Sequence, residues 1–286
     1  MLRLGSRTFG PAEFAVMAIV NRTPDSFYDG GANVELTAAV DAVSRAVDDG
    51  ADIVDIGGVR AGFGPDVTAA QELDRVLPVV SAVRDRFPEL VISVDTWRSE
   101  VAARVVTAGA DLINDTWAGA DAGLLAVAAE TGSGLVCSHT GGLGPRTDPH
   151  RVAYDDVVAD VIATVTAAAE RAVAAGVRRD GILIDPTHDF GKNTRHSLEL
   201  TRRLDELVAT GWPVLVALSR KDFIGETLDL PAADRLEGTL AATAISAWQG
   251  ARVFRAHDVR ATRRVLDMVA SIRGTRPPAV ARRGLA

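Results

Sequence analysis

Lysine is almost missing from this 286-residue chain: of 31 basic residues only Lys192 and Lys221 are lysines, and the others are arginine. Cysteine is scarcer still. The lone Cys137 has no partner for an internal disulfide, and its place inside an apolar run makes it a core residue rather than a nucleophile. No apolar stretch reaches the ~18 residues that a bilayer crossing needs, and the opening MLRLGSRTFGPAEF lacks the apolar centre of a secretory signal. A cytoplasmic protein is expected. Positive charge is in deficit too: a net charge of −7 and a pI near 5.3 argue against nucleic acid or a membrane surface as partner. Also absent is a Gly-rich phosphate turn after the first apolar run, which continues as NRTPDSFYDGG. That excludes the usual form of a doubly wound nucleotide-binding sheet.

What is present is a recurring unit. Eight short apolar runs each end on a polar residue or glycine: AVMAIVN at Asn21, DIVDIG at Gly57, LVISVD at Asp95, DLIND at Asn114, LVCSH at His139, ILID at Asp185, VLVALSRK at Lys221 and VFRAH at His257. Runs of this length, bounded by turn signals, read as buried parallel strands. Helical patterns with apolar residues three and four apart follow them, most ending at glycine, including SLELTRRLDELVATG as one helix. With 47% hydrophobic residues and no linker or composition shift, the chain reads as an α/β protein, a single-domain (β/α)₈ TIM barrel over residues 1–275. Residues 1–14 form an N-terminal lead, read as a hairpin under the barrel floor, and 276–286 form a tail. In such a barrel the C-terminal strand ends form the active-site mouth, so the polar ends converge on one cavity. Both lysines follow such runs, in ALSRK and DPTHDFGK. An ammonium titrates and fits a narrow pocket as a point charge, as a guanidinium does not. Carboxylates accept hydrogen bonds, an amide accepts and donates, and Lys only donates. Asp95, Asn114, Asp185 and Lys221 together suit a flat heterocycle with a 2-amino-4-oxo edge. The plainer reading of the same residues is two aspartates paired with Lys221 and nearby arginines.

The motifs NRTPDSFYDGG, GADIVDIGG, SVDTWRSEVA, GADLINDTWAG, LIDPTHDFGK, SRKDFIGE and FRAHDV, in that order across nearly the whole chain, resemble the dihydropteroate synthase family of pterin-binding barrels. That family joins 4-aminobenzoate to 7,8-dihydropterin-6-ylmethyl diphosphate and releases diphosphate with Mg²⁺ assistance. The resemblance implies pterin binding by Asp95, Asn114, Asp185 and Lys221, and diphosphate binding by Asn21, Arg255 and His257. It implies Mg²⁺ at Asn21, and Asn21, Asp95, Lys221 and Arg255 as the catalytic set. Phe190 and Asp222 would line the second-substrate pocket, and Asp25 and Ser26 would close over the ligand. It also implies a homodimer packed through outer helices. Metal and fixed donors act where charge develops on the leaving group. Mg²⁺ commonly takes only one or two protein ligands beside phosphate and water, so a lone Asn suffices.

The departures are as informative. Where the family usually carries GGESTRPG, this chain reads GGVRAGFG, with Val59, Arg60, Ala61, Gly62 and Phe63 in place of Glu, Ser, Thr, Arg and Pro. A hydroxyl and a fixed guanidinium are lost, with Arg22 and Arg60 as candidate substitutes. Asp222 replaces the usual Ser at a helix start where the aminobenzoate carboxylate docks. Asp222 is expected to act as N-cap there and occupy the site. Two like charges about 4 Å apart repel by roughly 4 kcal/mol at an effective dielectric near 20, nearly three orders of magnitude in affinity. His139 lacks the family's neighbouring Met, and Thr116 is more polar than usual. This combination resembles the divergent second homologue of the family, which lacks the normal activity. The expectation is therefore a pterin- or pterin-diphosphate-binding protein that makes little or no dihydropteroate. The alternatives kept open are an active synthase of folate biosynthesis, a pterin-dependent methyl-transfer barrel, a Schiff-base aldolase acting through Lys221, and a purely structural role.

Overall fold

The computed structural model describes residues 1–21, 36–62, 64–147 and 152–284. Arg22, Asp25, Ser26 and Phe63 lie outside the described residues. Eight parallel strands follow one another around a barrel: β3 Ala15–Asn21, β4 Ile53–Gly57, β5 Val91–Asp95, β6 Leu112–Asp115, β7 Gly134–Ser138, β8 Ile182–Asp185, β9 Leu215–Ala217 and β10 Val253–Ala256. The last strand pairs with the first, Val253 opposite Ala15. The remaining seam, between β8 and β9, is joined by a bridge at Ile184 and Val214, with the Ile184 N–H donating to the Pro213 carbonyl at 3.0 Å. The fold is a (β/α)₈ barrel. The helices are α1 Leu36–Asp48, α2 Ala69–Arg86, α3 Ser99–Thr107, α4 Gly123–Thr131, α5 Val157–Ala174, α6 Thr194–Arg202, α7 Leu204–Val208, α8 Asp222–Leu228, α9 Leu236–Gln249 and α10 Val259–Ile272. None is long and apolar enough to cross a membrane.

Two apolar layers hold this arrangement. Alternate strand residues such as Val16, Ile56, Ile92 and Ile113 face outward against the buried stripes of the helices. The helices start on local signals: Thr68 and Gln71 form a reciprocal capping box at α2, and the Asp156 carboxylate caps α5 by accepting from Val158 and Ala159. The other alternate set fills the barrel floor: Met17, Ile53, Val91, Leu112, Val136, Leu183, Leu215 and Val253. A hairpin of β1 Leu2–Leu4 and β2 Arg7–Phe9 closes that floor, and its Leu2, Leu4 and Phe9 join the same cluster. Each such side chain contributes roughly 1.5–3 kcal/mol by leaving water. Arg252, just before the last strand, donates to the carbonyls of Phe9, Gly10 and Glu13 and ties the chain's start to its end. Residues 275–284 are exposed.

Two boundaries differ from the sequence reading. The run VLVALSRK yields only three strand residues, because Arg220 adopts a positive φ of 55° and turns the chain. Lys221 consequently sits at the start of α8 rather than on a strand tip. The single helix expected over 197–211 breaks at Arg203 (φ −110°, ψ 27°) into α6 and α7. The Arg203 guanidinium there gathers Asp156, Glu199 and Glu206.

Candidate active site

Above the apolar floor the barrel interior turns polar. Ile53 belongs to the floor, so Asp55, two residues later on the same strand, points into the barrel as well. Asp55 is completely buried and carries three partners: Ser93 Oγ donates to it at 2.5 Å, Asn114 Nδ2 at 3.0 Å and Arg255 Nε at 2.6 Å. Arg255 reaches Asp95 with Nη2 at 3.0 Å, and Thr116 Oγ1 donates to the other Asp95 oxygen at 3.0 Å. Strands β4, β5, β6 and β10 thereby meet in one network. Burial raises the Asp95 carboxyl above its ordinary range; Arg255 opposes that shift and Asp55 adds to it. Asp55 also fixes the Asn114 amide with its NH₂ turned toward the carboxylate.

Asp185 and Lys221 complete the group. Asp185 accepts from the Thr187 backbone N–H at 2.7 Å, and burial pushes its pKa up to about 6 against the pull of that N–H and of Lys221. Lys221 Nζ donates to the His188 carbonyl at 2.8 Å and stands 4.3 Å from the Phe190 ring centroid. Phe190 meets Trp117 edge-on at 5.3 Å. The loop after β8 that carries these residues is built under constraint: Thr187 and Asp189 both have positive φ. Lys192 holds it from within, donating to the carbonyls of His139, Thr187 and Phe190 at 2.8–3.1 Å. Burial, with Lys221 nearby, pushes that ammonium down to about 7. Lys192 is a strut of the loop. Gly191, at φ +60°, packs so closely on the Thr140 carbonyl that any Cβ would overlap it.

Not every expected strand end joins the cavity. Asn21 does: its Oδ1 lies over Gly57, 3.2 Å from where a Cβ would stand, and the Asp95 Cβ is 3.8 Å from the same point. His257 follows β10 at the same end, its backbone N–H donating to Ser219 Oγ. His139 does not. It points out of the barrel to Asp160 on α5, at 2.7 Å, because Val136 and Ser138 take the inward positions of β7. Burial and the Lys192 charge push His139 down to about 4, so it is a neutral packing group at pH 7. Cys137 is likewise buried in the outer layer, its thiol pushed up to about 12 by burial.

Asp222 corrects a second expectation. Its carboxylate does not cap α8: it is 80% exposed and pairs with Arg235 at 2.7 Å. The carboxylate at the head of α8 is Asp189, which accepts from the Asp222 and Phe223 N–H groups at 2.7 and 3.3 Å. The altered second loop is also anchored. Arg75 donates to the Gly58 carbonyl, Arg98 to that of Val67, and Arg146 to those of Gly62 and Pro65.

The model of the family described as "Pterin binding enzyme" matches residues 17–257, most of the chain. The chain belongs to the pterin-binding enzyme family. It is similar to the "Inactive dihydropteroate synthase 2" of Mycobacterium leprae, 62% identical over 275 residues, covering 95% of this chain and 94% of the relative. It is also similar to the dihydropteroate synthase of Escherichia coli, 40% identical over 255 residues, covering 89% and 90%. A crystal structure of the Yersinia pestis dihydropteroate synthase with a sulfonamide drug superposes with a TM-score of 0.90 at 37% identity, covering 96% and 99% of the two chains.

Within this pterin-binding barrel, Asp95, Asn114, Asp185, Lys221, Arg255 and Asn21 share one mouth. Sequence reasoning missed Asp55 and Asp189. The signal for Asp55 was available, since an acid inside the apolar run IVDIG lies two residues from a floor residue. Nothing local marks Asp189, whose partners at the head of α8 are 33 and 34 residues away.

Proposed function

We propose that this chain binds a pterin or pterin diphosphate in its barrel mouth and makes little or no dihydropteroate. The observation that carries this reading is the buried layer joining Asp55, Asn114, Asp95 and Arg255 beside Asp185 and Lys221. It presents fixed acceptors and donors to a flat 2-amino-4-oxo ring, while the loop over 57–64 has no hydroxyl side chain and carries its one guanidinium at Arg60, not at the position of the family's loop arginine, which is Gly62 here. The name of the Mycobacterium leprae relative agrees with that division. In the assay, purified protein with pterin diphosphate, 4-aminobenzoate and Mg²⁺ should release no dihydropteroate, and the gene should not rescue a strain lacking the synthase. The pterin alone should still raise the melting temperature. Growth of that strain, or product from the purified protein, would establish an ordinary synthase instead.

The diphosphate falls to Arg255, His257 and Asn21 in this reading. Arg255 spends Nε and Nη2 on Asp55 and Asp95, and a guanidinium has five N–H donors, so others can serve a phosphate oxygen. Mg²⁺ fits the residues present only as a guest of the diphosphate. Asn21 offers one neutral amide oxygen, and among the described residues no cluster of three or more His, Cys, Asp or Glu gathers for a metal. When bound there, the ion would neutralise charge on the leaving diphosphate. Phe190 is a wall for the second substrate.

A homodimer is part of the same proposal. Ile245 and Trp248 of α9 and Met268 and Ile272 of α10 are 51–60% exposed, on two helices that pack against each other. A solvent-facing apolar patch of this kind is the ordinary mark of an interface. Trp248→Glu should convert a dimer to a monomer in light scattering, and a wild-type monomer would dismiss the interface.

A further inference from the structure

We propose that Asp189 sets the charge preference of the second-substrate pocket, turning away carboxylate-bearing nucleophiles and admitting neutral or cationic amines. This rests on the pterin-site reading above and adds the class of its co-substrate. In that reading Phe190 and Lys221 form one wall of the pocket: Lys221 Nζ stands 4.3 Å from the Phe190 ring centroid, and Lys221 immediately precedes α8. An anionic substrate entering here would look to the Lys221 ammonium and to the N–H groups that open α8. The N–H groups are already served from within the chain, and the Lys221 ammonium already has carboxylates of the chain acting on it. One Asp189 oxygen accepts from the Asp222 and Phe223 N–H groups, and the other accepts from Ser197 Oγ at 3.0 Å. Ser197 Oγ in turn accepts from the Asp189 N–H at 3.1 Å. The carboxylate is therefore held at both oxygens and by its own backbone, in a left-handed conformation (φ 69°) that non-glycine residues adopt at a cost. Among the charges acting on Lys221, Asp189 attracts most strongly, followed by Asp185.

Among the described residues, two arginines beside α8 are committed as well. Arg235 pairs with Asp222, and Arg220 pairs with Asp258 through two bonds of 3.1 Å. An incoming carboxylate would thus meet a fixed negative charge where it needs a donor. A neutral amide or an amine keeps Asp189 as a neighbour without repulsion. Asp222, the residue that the sequence singles out for this role, is turned away to solvent and is not the group that excludes.

The test compares 4-aminobenzoate with its uncharged isostere 4-aminobenzamide, titrated by calorimetry into the full-length protein preloaded with pterin diphosphate and Mg²⁺. The wild type should bind the amide at least tenfold more tightly than the acid. Asp189→Asn keeps the shape and the acceptor oxygen, and Asn tolerates the left-handed backbone. It should strengthen 4-aminobenzoate binding at least tenfold while changing the amide less than twofold. Asp222→Ser should leave the ratio as it is. A merely structural Asp189 would move both ligands together. Equal wild-type affinities, an unchanged ratio in Asp189→Asn, or no binding of the amide to pterin-loaded protein would each overturn the proposal. Failure of the preloading step would instead refute the pterin site on which it stands.

Discussion

Asp55→Ala should cost about 3–5 kcal/mol of folding stability, the range for removing one partner of a buried charge network. The carboxylate is wholly enclosed and answers Ser93, Asn114 and Arg255 together. Its loss strands a buried amide N–H, a hydroxyl and part of a guanidinium, with no path for water short of a cavity. Arg255 would then keep its bond to Asp95 but lose the one to Asp55, and the Asn114 amide would lose the bond that orients it. Equilibrium urea unfolding is the measurement. In a thermal melt the drop should be on the order of 5–10 °C. Asp55→Asn, which keeps the volume but not the charge, should fall in between. A variant within 1 kcal/mol of wild type, with pterin binding intact, would mean that the polar layer is not the keystone of the mouth.

Asp185→Asn should weaken pterin binding about 100-fold while leaving the fold intact. The ring's amino and amide N–H groups need an acceptor, and charge-assisted bonds of this kind contribute about 1.5–3 kcal/mol each. An asparagine answers one donor with another. The wild-type pH profile should carry the same signature. Because the Asp185 pKa lies near 6, its protonation should lower pterin affinity about tenfold per pH unit below that point. The variant should lose the component of this profile that belongs to Asp185 and keep only that of the neighbouring Asp95, whose carboxyl burial also raises. The effect on the ligand-free fold has the opposite sign. A carboxyl whose folded pKa is raised binds extra protons in the native state between its unfolded value and about 6. Its contribution to stability is therefore present at low pH and is lost as pH rises through about 6. The thermal shift caused by pterin should accordingly grow toward neutral pH. A pH-independent affinity in the wild type would dismiss Asp185 as the acceptor.

How much of this was written in the linear chain depends on the range of the interactions. The barrel was legible because each strand is a short apolar run bounded by local signals. Asp95, Asn114 and Asp185 were legible because they end those runs. Lys221 was placed one element early, since the turn at Arg220 is stabilised by Asp258, 38 residues away. His139 was assigned to the cavity on position alone, although the side-chain alternation of β7 sends it outward to Asp160. The acid at the head of α8 was misassigned for the same reason. Asp222 is the neighbour in sequence, but Asp189 arrives through the fold. The break between α6 and α7 has a similar origin, with Arg203 drawn to Asp156 at the start of α5.

The hairpin under the barrel and the Arg252 bonds above it set a temporal order on the making of this protein. Strand β3 emerges from the ribosome early, yet its neighbour β10 lies more than 200 residues later. Until that segment is synthesised, the nascent sheet keeps an open edge and the floor residues Leu2, Leu4 and Phe9 lack their full enclosure. Contacts so distant in sequence slow folding and expose sticky intermediates. The chain must wait for β10, the last strand among the described residues, before it can become a cylinder.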